Sequence, residues 1–245
     1  PNKMQKEALD SLRLLREKGK DKAILISATG TGKTFLSAFD VAAYQPKRML
    51  FVVHRENIAR AAMRTFKRVI KDKTMGMFTG HEKDHQADYL FTTVQTIAKP
   101  EYYEQFLKST FDYIVIDEVH RAGAPTYQRL MSYFKPEFLL GMTATPERSD
   151  DFDIYQLFDY NIAYEIRLSQ AMEYDLLCPF HYYGITDLMI DHQIIDDHTQ
   201  FNDLVADVRV DYIIEKIEQY GHCGDQVKGL IFCSRTKEAR TLSEL

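Results

Sequence analysis

Ile24-Leu25-Ile26-Ser27-Ala28-Thr29-Gly30-Thr31-Gly32-Lys33-Thr34-Phe35 is the stretch that decides the fold. A short apolar strand runs into a loop with two glycines, then Lys-Thr, then the helical pattern Lys33 to Tyr44. Strand, glycine loop and helix N-terminus in that order turn backbone N–H groups and the positive end of the helix dipole toward a polyphosphate. The spacing assigns Thr29, Gly30, Thr31 and Gly32 to the cradle, the two glycines standing where a Cβ would crowd phosphate oxygens. Lys33 then neutralises the outer phosphates and the Thr34 hydroxyl holds Mg²⁺, so ATP and Mg²⁺ are the expected ligands. The general pattern has glycine at the first position, where this chain has Ser27, but the Gly-x-Gly-Lys-Thr core is intact.

Outward from that loop, apolar β-branched or aromatic runs recur: Ala23 to Ser27, Met49 to Val53, Met75 to Thr79, Tyr89 to Thr92, Tyr113 to Asp117 and Phe138 to Thr143. Helical patterns separate them, at Met4 to Lys18, Lys33 to Tyr44, Arg55 to Lys71, Tyr102 to Lys108 and Thr126 to Phe134. Continuous apolar strands alternating with helices predict an α/β fold, a doubly wound parallel sheet covered on both faces. After Pro146 the rhythm weakens into the acid-rich stretch Glu147 to Asp153, which reads as a linker. A new alternation follows: a strand at Pro179 to Ile185, a helix at Val208 to Gln219, a strand at Gly229 to Cys233 and a helix from Thr236. The expected division is residues 1–163 for the first domain and 164–245 for a linker and the opening of a second, cut off early.

Composition narrows the class. With 45% hydrophobic and 27% charged residues over 245 positions, the chain is globular, neither disordered nor fibrous. Its longest apolar runs are about five residues, far short of the roughly 20 of a membrane span, so no membrane partner is expected. Three cysteines and no apolar leader make the cytoplasm the expected compartment. The net charge of −5 hides an asymmetry: between Lys47 and Lys73 nine Lys or Arg face two acids, and between Asp187 and Asp225 ten acids face two bases. On a helix from Arg55 the basic residues Arg60, Arg64, Arg68 and Lys71 fall opposite the apolar stripe Ile58, Ala62, Phe66 and Val69.

A second constellation lies 84 residues beyond Lys33. The apolar run Tyr113 to Ile116 delivers Asp117-Glu118 at its carboxyl end, where ligands sit in open α/β sheets. Asp117 is placed to coordinate Mg²⁺, Glu118 to orient and deprotonate the attacking water, and His120 to bridge toward whatever lies opposite.

Taken together, the Ser27 to Thr34 loop, Asp117-Glu118-Val119-His120 and Thr143-Ala144-Thr145-Pro146 resemble motifs I, II and III of the superfamily 2 DExH-box helicases and translocases, most closely the bacterial branch that includes restriction-enzyme motor subunits. The resemblance implies a complete first RecA-like domain of the P-loop NTPase type and the start of a second, whose remainder belongs to the same polypeptide. It also implies ATP hydrolysis coupled to movement on nucleic acid, with duplex DNA the preferred track. Gln5 resembles the glutamine that reads the adenine edge. Val53-His54-Arg55 resembles motif Ia, Thr79-Gly80 motif Ib, and Thr92-Thr93-Val94-Gln95-Thr96 the next nucleic-acid motif. This assigns Arg55, Thr79, Gly80, Thr93, Gln95 and Thr96 to the grip on the phosphate backbone. Thr143 and Thr145 correspond to the pair that couples the two sites, and Leu230 to Arg235 resembles motif IV.

Motifs V and VI, with the arginine finger, do not occur, so this stretch alone is expected to bind ATP but hydrolyse it poorly. Two other functions fit the same phosphate loop: an ATPase acting on a partner other than nucleic acid, and a nucleotide-gated binding module that does not hydrolyse. The spacing His81-x-x-x-His85 invites a metal reading, but the run is more plainly a charged loop between strands.

Overall fold

The sheet is built outward from β1 (Lys22–Ser27), whose five residues after Lys22 are all buried. β5 (Tyr113–Asp117) and β6 (Phe138–Thr143) lie to one side, then β2 (Met49–Val53), β4 (Tyr89–Thr93) and β3 (Met75–Phe78); β7 (Ile162–Ile166) closes the other side. The order is β3-β4-β2-β5-β6-β1-β7 and every adjacent pair is parallel. This is the parallel α/β sheet that the strand–helix alternation predicts, with the RecA-like fold that the family resemblance implies. The computed structural model describes residues 1–147, 153–186, 189–190, 193–194, 207–221 and 229–244.

Alternation along each strand fills two cores. On one face Leu25, Phe51, Phe91, Val115 and Leu140 pack against α1 (Lys3–Glu17), α2 (Lys33–Tyr44) and α3 (Glu56–Val69) through Leu12, Leu36, Val41 and Phe66. On the other, Ile24, Leu50, Leu90, Ile114 and Ile116 meet α4 (Val94–Ile97) and α6 (Pro125–Tyr133) through Ile97, Tyr127, Leu130 and Phe134. A sheet buried on both faces is why its strands read as unbroken apolar runs. On α3 the predicted stripe Ala62 and Phe66 is buried, and Arg64 and Arg68 are exposed. Arg60 is paired with Glu56 and Glu82.

At the opposite end of the strands from the phosphate loop, Asp40 of α2 is 1% exposed. It accepts two bonds from the Arg16 guanidinium at 2.8 Å each and one from the Tyr113 hydroxyl at 2.5 Å. Arg16 itself lies over the rings of Tyr44 and Phe138, with centroids at 5.4 and 5.0 Å. One carboxylate thus ties α1, α2, β5 and β6 together.

The structure departs from the sequence reading in four places. β7 was not foreseen: exposed Ile162 and the polar Glu165 interrupt the apolar run, yet the segment pairs with β1 with a register shift at Ile24/Leu25. The boundary expected at residue 163 therefore falls inside a strand, and the first contact unit runs Pro1–Pro179. The helix expected at Tyr102 to Lys108 is replaced by α5 (Pro100–Tyr103), begun by Pro100 at its first turn and preceded by the separate turn α4.

In the second unit, Phe180–Leu245, the expected strands at Pro179 to Ile185 and Gly229 to Cys233 have no ladder partner among the described residues. Leu230 and Phe232 are 86% and 91% exposed, and an apolar run becomes a strand only where a neighbour takes its N–H and C=O groups. The expected helices are present, as Asp207–Tyr220 and Thr236–Leu242. A two-residue antiparallel pair, Met189–Ile190 with Gln193–Ile194, was not expected. Glu238 is buried and accepts from Arg209 at 3.3 Å and from the Ser234 hydroxyl at 3.0 Å, joining those helices. Most of the acidic linker, from Arg148 to Phe152, lies outside the described residues, as does much of the acidic segment 187–225. No described helix is long and apolar enough to cross a membrane.

Candidate functional site

Strand order arranges the chemistry. Along the carboxyl edge of the sheet the strand ends present, in space, Phe78-Thr79, Thr93, Val53-His54, Asp117, Thr143 and Ser27. The residues expected to grip nucleic acid occupy one half of the edge and the phosphate loop the other. The Asp117-Glu118-Val119-His120 box stands between them.

The phosphate loop leaves β1 and enters α2 at Gly32, with Gly30 and Gly32 both at φ 90°, a left-handed conformation in which side-chain-bearing residues are strained. A Cβ on Gly32 would meet the Gln5 amide at 3.0 Å, and one on Gly30 would meet Leu177 at 3.0 Å. Inside the loop the Thr31 hydroxyl donates to the Ala28 carbonyl at 2.8 Å and lies 2.5 Å from the Ser27 hydroxyl. Ser27, the departure from the usual first glycine, thus helps to set the curl. Lys33 Nζ donates to the carbonyls of Ser27 at 2.8 Å and Ala28 at 3.3 Å. Burial pulls its ammonium below the ordinary lysine range, and the charges of Asp117 and Glu118 hold it part-way back. Thr29 is exposed at the loop's outer side and Thr34 is half-buried in the first turn of α2.

Asp117 ends β5 and accepts from the Glu118 N–H at 3.0 Å. Burial, then the charge of Glu118, push its carboxyl up to about 6, against the pull of that N–H and of Lys33. Glu118 itself sits at φ 54°, left-handed for a residue that is not glycine, and starts the 3₁₀ turn Val119–Gly123. Such a conformation costs on the order of 1–3 kcal/mol and persists where surrounding structure enforces it. The turn brings His120 Nδ1 to 3.1 Å from Glu118 Oε2 and 3.0 Å from Thr143 Oγ1. With Nδ1 protonated it donates to the carboxylate; with Nδ1 bare it accepts from the Thr143 hydroxyl. Thr143 Oγ1 in turn accepts from the Thr145 N–H at 3.1 Å, so both threonines expected to couple the sites meet His120 directly or through one bond.

The family model described as type III restriction enzyme, res subunit, matches residues 1–148. The chain belongs to this family. Among curated relatives of the res-subunit chain, the type I restriction enzyme EcoAI endonuclease subunit of Escherichia coli is 25% identical over 273 residues, covering 99% of this chain and 33% of that protein. The chain therefore spans about a third of that relative's length. Two solved structures share its fold. The ATP-dependent type ISP restriction-modification enzyme LlaBIII bound to DNA has a TM-score of 0.55 at 20% identity, over 71% of this chain and 15% of that one. The Hef helicase domain of Pyrococcus furiosus has a TM-score of 0.54 at 17% identity, over 96% of this chain and 51% of that one.

Within the res-subunit fold the remaining expected residues fall as follows. Gln5 is buried at the third position of α1, where its carbonyl accepts from the Asn2 N–H at 3.0 Å and its amide donates to the Gly32 carbonyl at 3.5 Å. It thus braces the phosphate loop, with one N–H and one lone pair uncommitted among the described residues. Arg55 is the exposed N-cap of α3. Thr79 is buried and its hydroxyl accepts from the N–H groups of His81 and Glu82, which makes it a turn cap, while Gly80 is exposed beside it. Thr93 caps α4 through the Thr96 N–H at 3.3 Å, with the two hydroxyls 3.0 Å apart, and Gln95 is exposed. No metal-binding group of His, Cys, Asp and Glu occurs among the described residues, and His85 packs against Phe78 and Phe106.

Sequence reading missed two sets of residues. Leu176 and Leu177, which join Met4, Ala28, Ile166 and Ala171 in a small core around the phosphate loop, carry no motif. His54, Arg121 and Tyr127 share a cleft with Gln95, hinted at only by the place of His54 within Val53-His54-Arg55 and of Arg121 directly after His120.

Proposed function

We propose that the chain is the nucleotide-binding motor domain of an ATP-driven translocase acting on duplex DNA. The observation that carries this reading is the convergence on one sheet edge of a left-handed glycine cradle, the Lys33 ammonium within electrostatic reach of Asp117 and Glu118, and the His120–Thr143 contact. ATP would lie with its phosphates on the N–H groups of residues 29–34 and on Lys33, with Gln5 beside the base. Thr34 and Asp117 are oxygen donors of the kind Mg²⁺ takes, and a divalent cation offsets the burial that raises the Asp117 carboxyl. When bound, the ion supplies charge neutralisation at the phosphates.

Within this reading Glu118 orients the attacking water and takes its proton. His120 alternates its Nδ1 between the Glu118 carboxylate and the Thr143 hydroxyl. Arg55, Thr93, Gln95 and Thr96, at strand and helix starts on the same edge, face the backbone of the track, where such groups fix register without reading bases. The residues after β7 supply a linker and part of a second RecA-like domain.

The test is phosphate release from ATP by the full-length protein with duplex DNA, single-stranded DNA or RNA added. The expected result is strong stimulation by duplex DNA. Stimulation by another polymer alone reassigns the track. Turnover indifferent to every polymer points instead to an ATPase with a different partner, and absence of turnover to a gated binding module.

A further inference from the structure

Between the ends of β2 and β4 and the start of α6 lies a cleft of about 290 Å³, of whose lining the reading above uses Gln95 alone. His54, Gln95, Arg121, Thr126 and Tyr127 line it, and none of its lining residues is acidic. Two buried polar atoms there have no hydrogen-bond partner among the described residues: Nδ1 of His54 and the hydroxyl of Tyr127, a residue only 2% exposed. Orphaned groups of this kind are rare in folded proteins, because each forfeits its hydration for nothing in return. Arg121 is exposed and forms no ion pair among the described residues, yet its charge reaches both His54 and Tyr127. α6 opens on Ala124 and Pro125, so no side chain caps its first turn and the positive end of its dipole is left to other acceptors.

The donor set is that of an anion site: a guanidinium, a phenol O–H, a carboxamide N–H and a helix start. Burial pushes the Tyr127 phenol up to about 12, so its hydroxyl stays a donor. Burial and the nearby Arg121 and Arg55 pull His54 down, so its ring is neutral at physiological pH. The occupant follows from the neighbourhood. Gln95 of α4 lines the cleft, Thr93 caps that helix and Arg55 caps α3 after His54, all residues placed along the track, and the charges of Asp117 and Glu118 are felt at Tyr127.

We infer that this cleft seats one phosphodiester of the bound nucleic acid, held by Arg121 and Tyr127 against His54 and the start of α6. The inference rests on the nucleic-acid reading and adds to it a contact point next to the hydrolysis box.

The test is anisotropy of a labelled mixed-sequence duplex titrated with the full-length protein across a salt series. Arg121→Gln should lower the slope of log K against log salt by about one, as loss of a single phosphate contact does, and Arg121→Lys should keep it. Tyr127→Phe should weaken binding about tenfold with the slope unchanged, because it removes a neutral donor to a charged acceptor. Its melting temperature should hold or rise, since the ring volume is kept and an orphaned hydroxyl is gone. Salt-dependent binding by the wild type with both variants unaltered overturns the inference and leaves the nucleic-acid reading standing. Failure of the wild type to bind any polymer refutes that reading itself. Thermal stabilisation by inorganic phosphate that Arg121→Gln abolishes, with DNA binding unchanged, overturns the assignment to the track.

Discussion

Glu118→Gln is expected to lower ATP turnover by the full-length protein about 10²- to 10⁴-fold, the range a positioned general base contributes, while ATP binding persists. The substitution keeps size and backbone, so the left-handed start of the 3₁₀ turn is retained, and a glutamine oxygen still reaches His120. What it removes is the capacity to accept the water's proton. The contact with His120 Nδ1 at 3.1 Å loses its charge assistance, which adds a smaller effect through Thr143. Stopped-flow binding of a fluorescent ATP analogue, run beside phosphate release, separates the two quantities. Turnover within twofold of wild type would assign the base elsewhere, and loss of binding in step with turnover would make Glu118 a structural residue.

The second large effect concerns stability. Asp40→Ala leaves the Arg16 guanidinium and the Tyr113 hydroxyl without the carboxylate that satisfies both at 2.5 to 2.8 Å. Breaking a buried pair from one side costs about 3–5 kcal/mol, because the stranded charge stays buried. The Arg16 side chain is 17% exposed and lies over the rings of Tyr44 and Phe138, so water relieves only part of its stranded charge. Pairing the change with Arg16→Leu should recover part of that loss, since it removes the stranded charge but leaves the buried Tyr113 hydroxyl without its acceptor. Urea denaturation of the single and double variants measures the difference. A single-variant loss below about 1 kcal/mol would mean that Arg16 finds another partner.

The first six strands and the phosphate loop were legible because they obey local rules. Met49–Val53 and Tyr113–Asp117 are apolar end to end, as strands buried on both faces must be, and Gly30 and Gly32 stand where a backbone at φ 90° needs them. What escaped was set by partners distant in sequence. Ile162–Ile166 is a strand only because the free side of β1 takes its hydrogen bonds, and nothing local signals it. Gly229 to Cys233 looks as strand-like as Met49 to Val53 but has no neighbour among the described residues. At the site, spacing located Asp117, Glu118, His120 and Thr143 individually. That Thr143 meets His120, at 3.0 Å, follows from β5 and β6 being adjacent in the sheet. Thr79 has a use that its sequence position does not show: its hydroxyl accepts from two N–H groups and caps the turn after β3.

Movement along duplex DNA is the central claim, and phosphate release per unit time as a function of duplex length tests it most directly. A motor that travels consumes more ATP per encounter on a longer track, so at a fixed concentration of DNA ends, and below saturation, the rate should climb with length before levelling off. A rate that depends on the total concentration of base pairs, and not on how they are divided into molecules, would contradict translocation and leave a DNA-stimulated ATPase that stays where it binds.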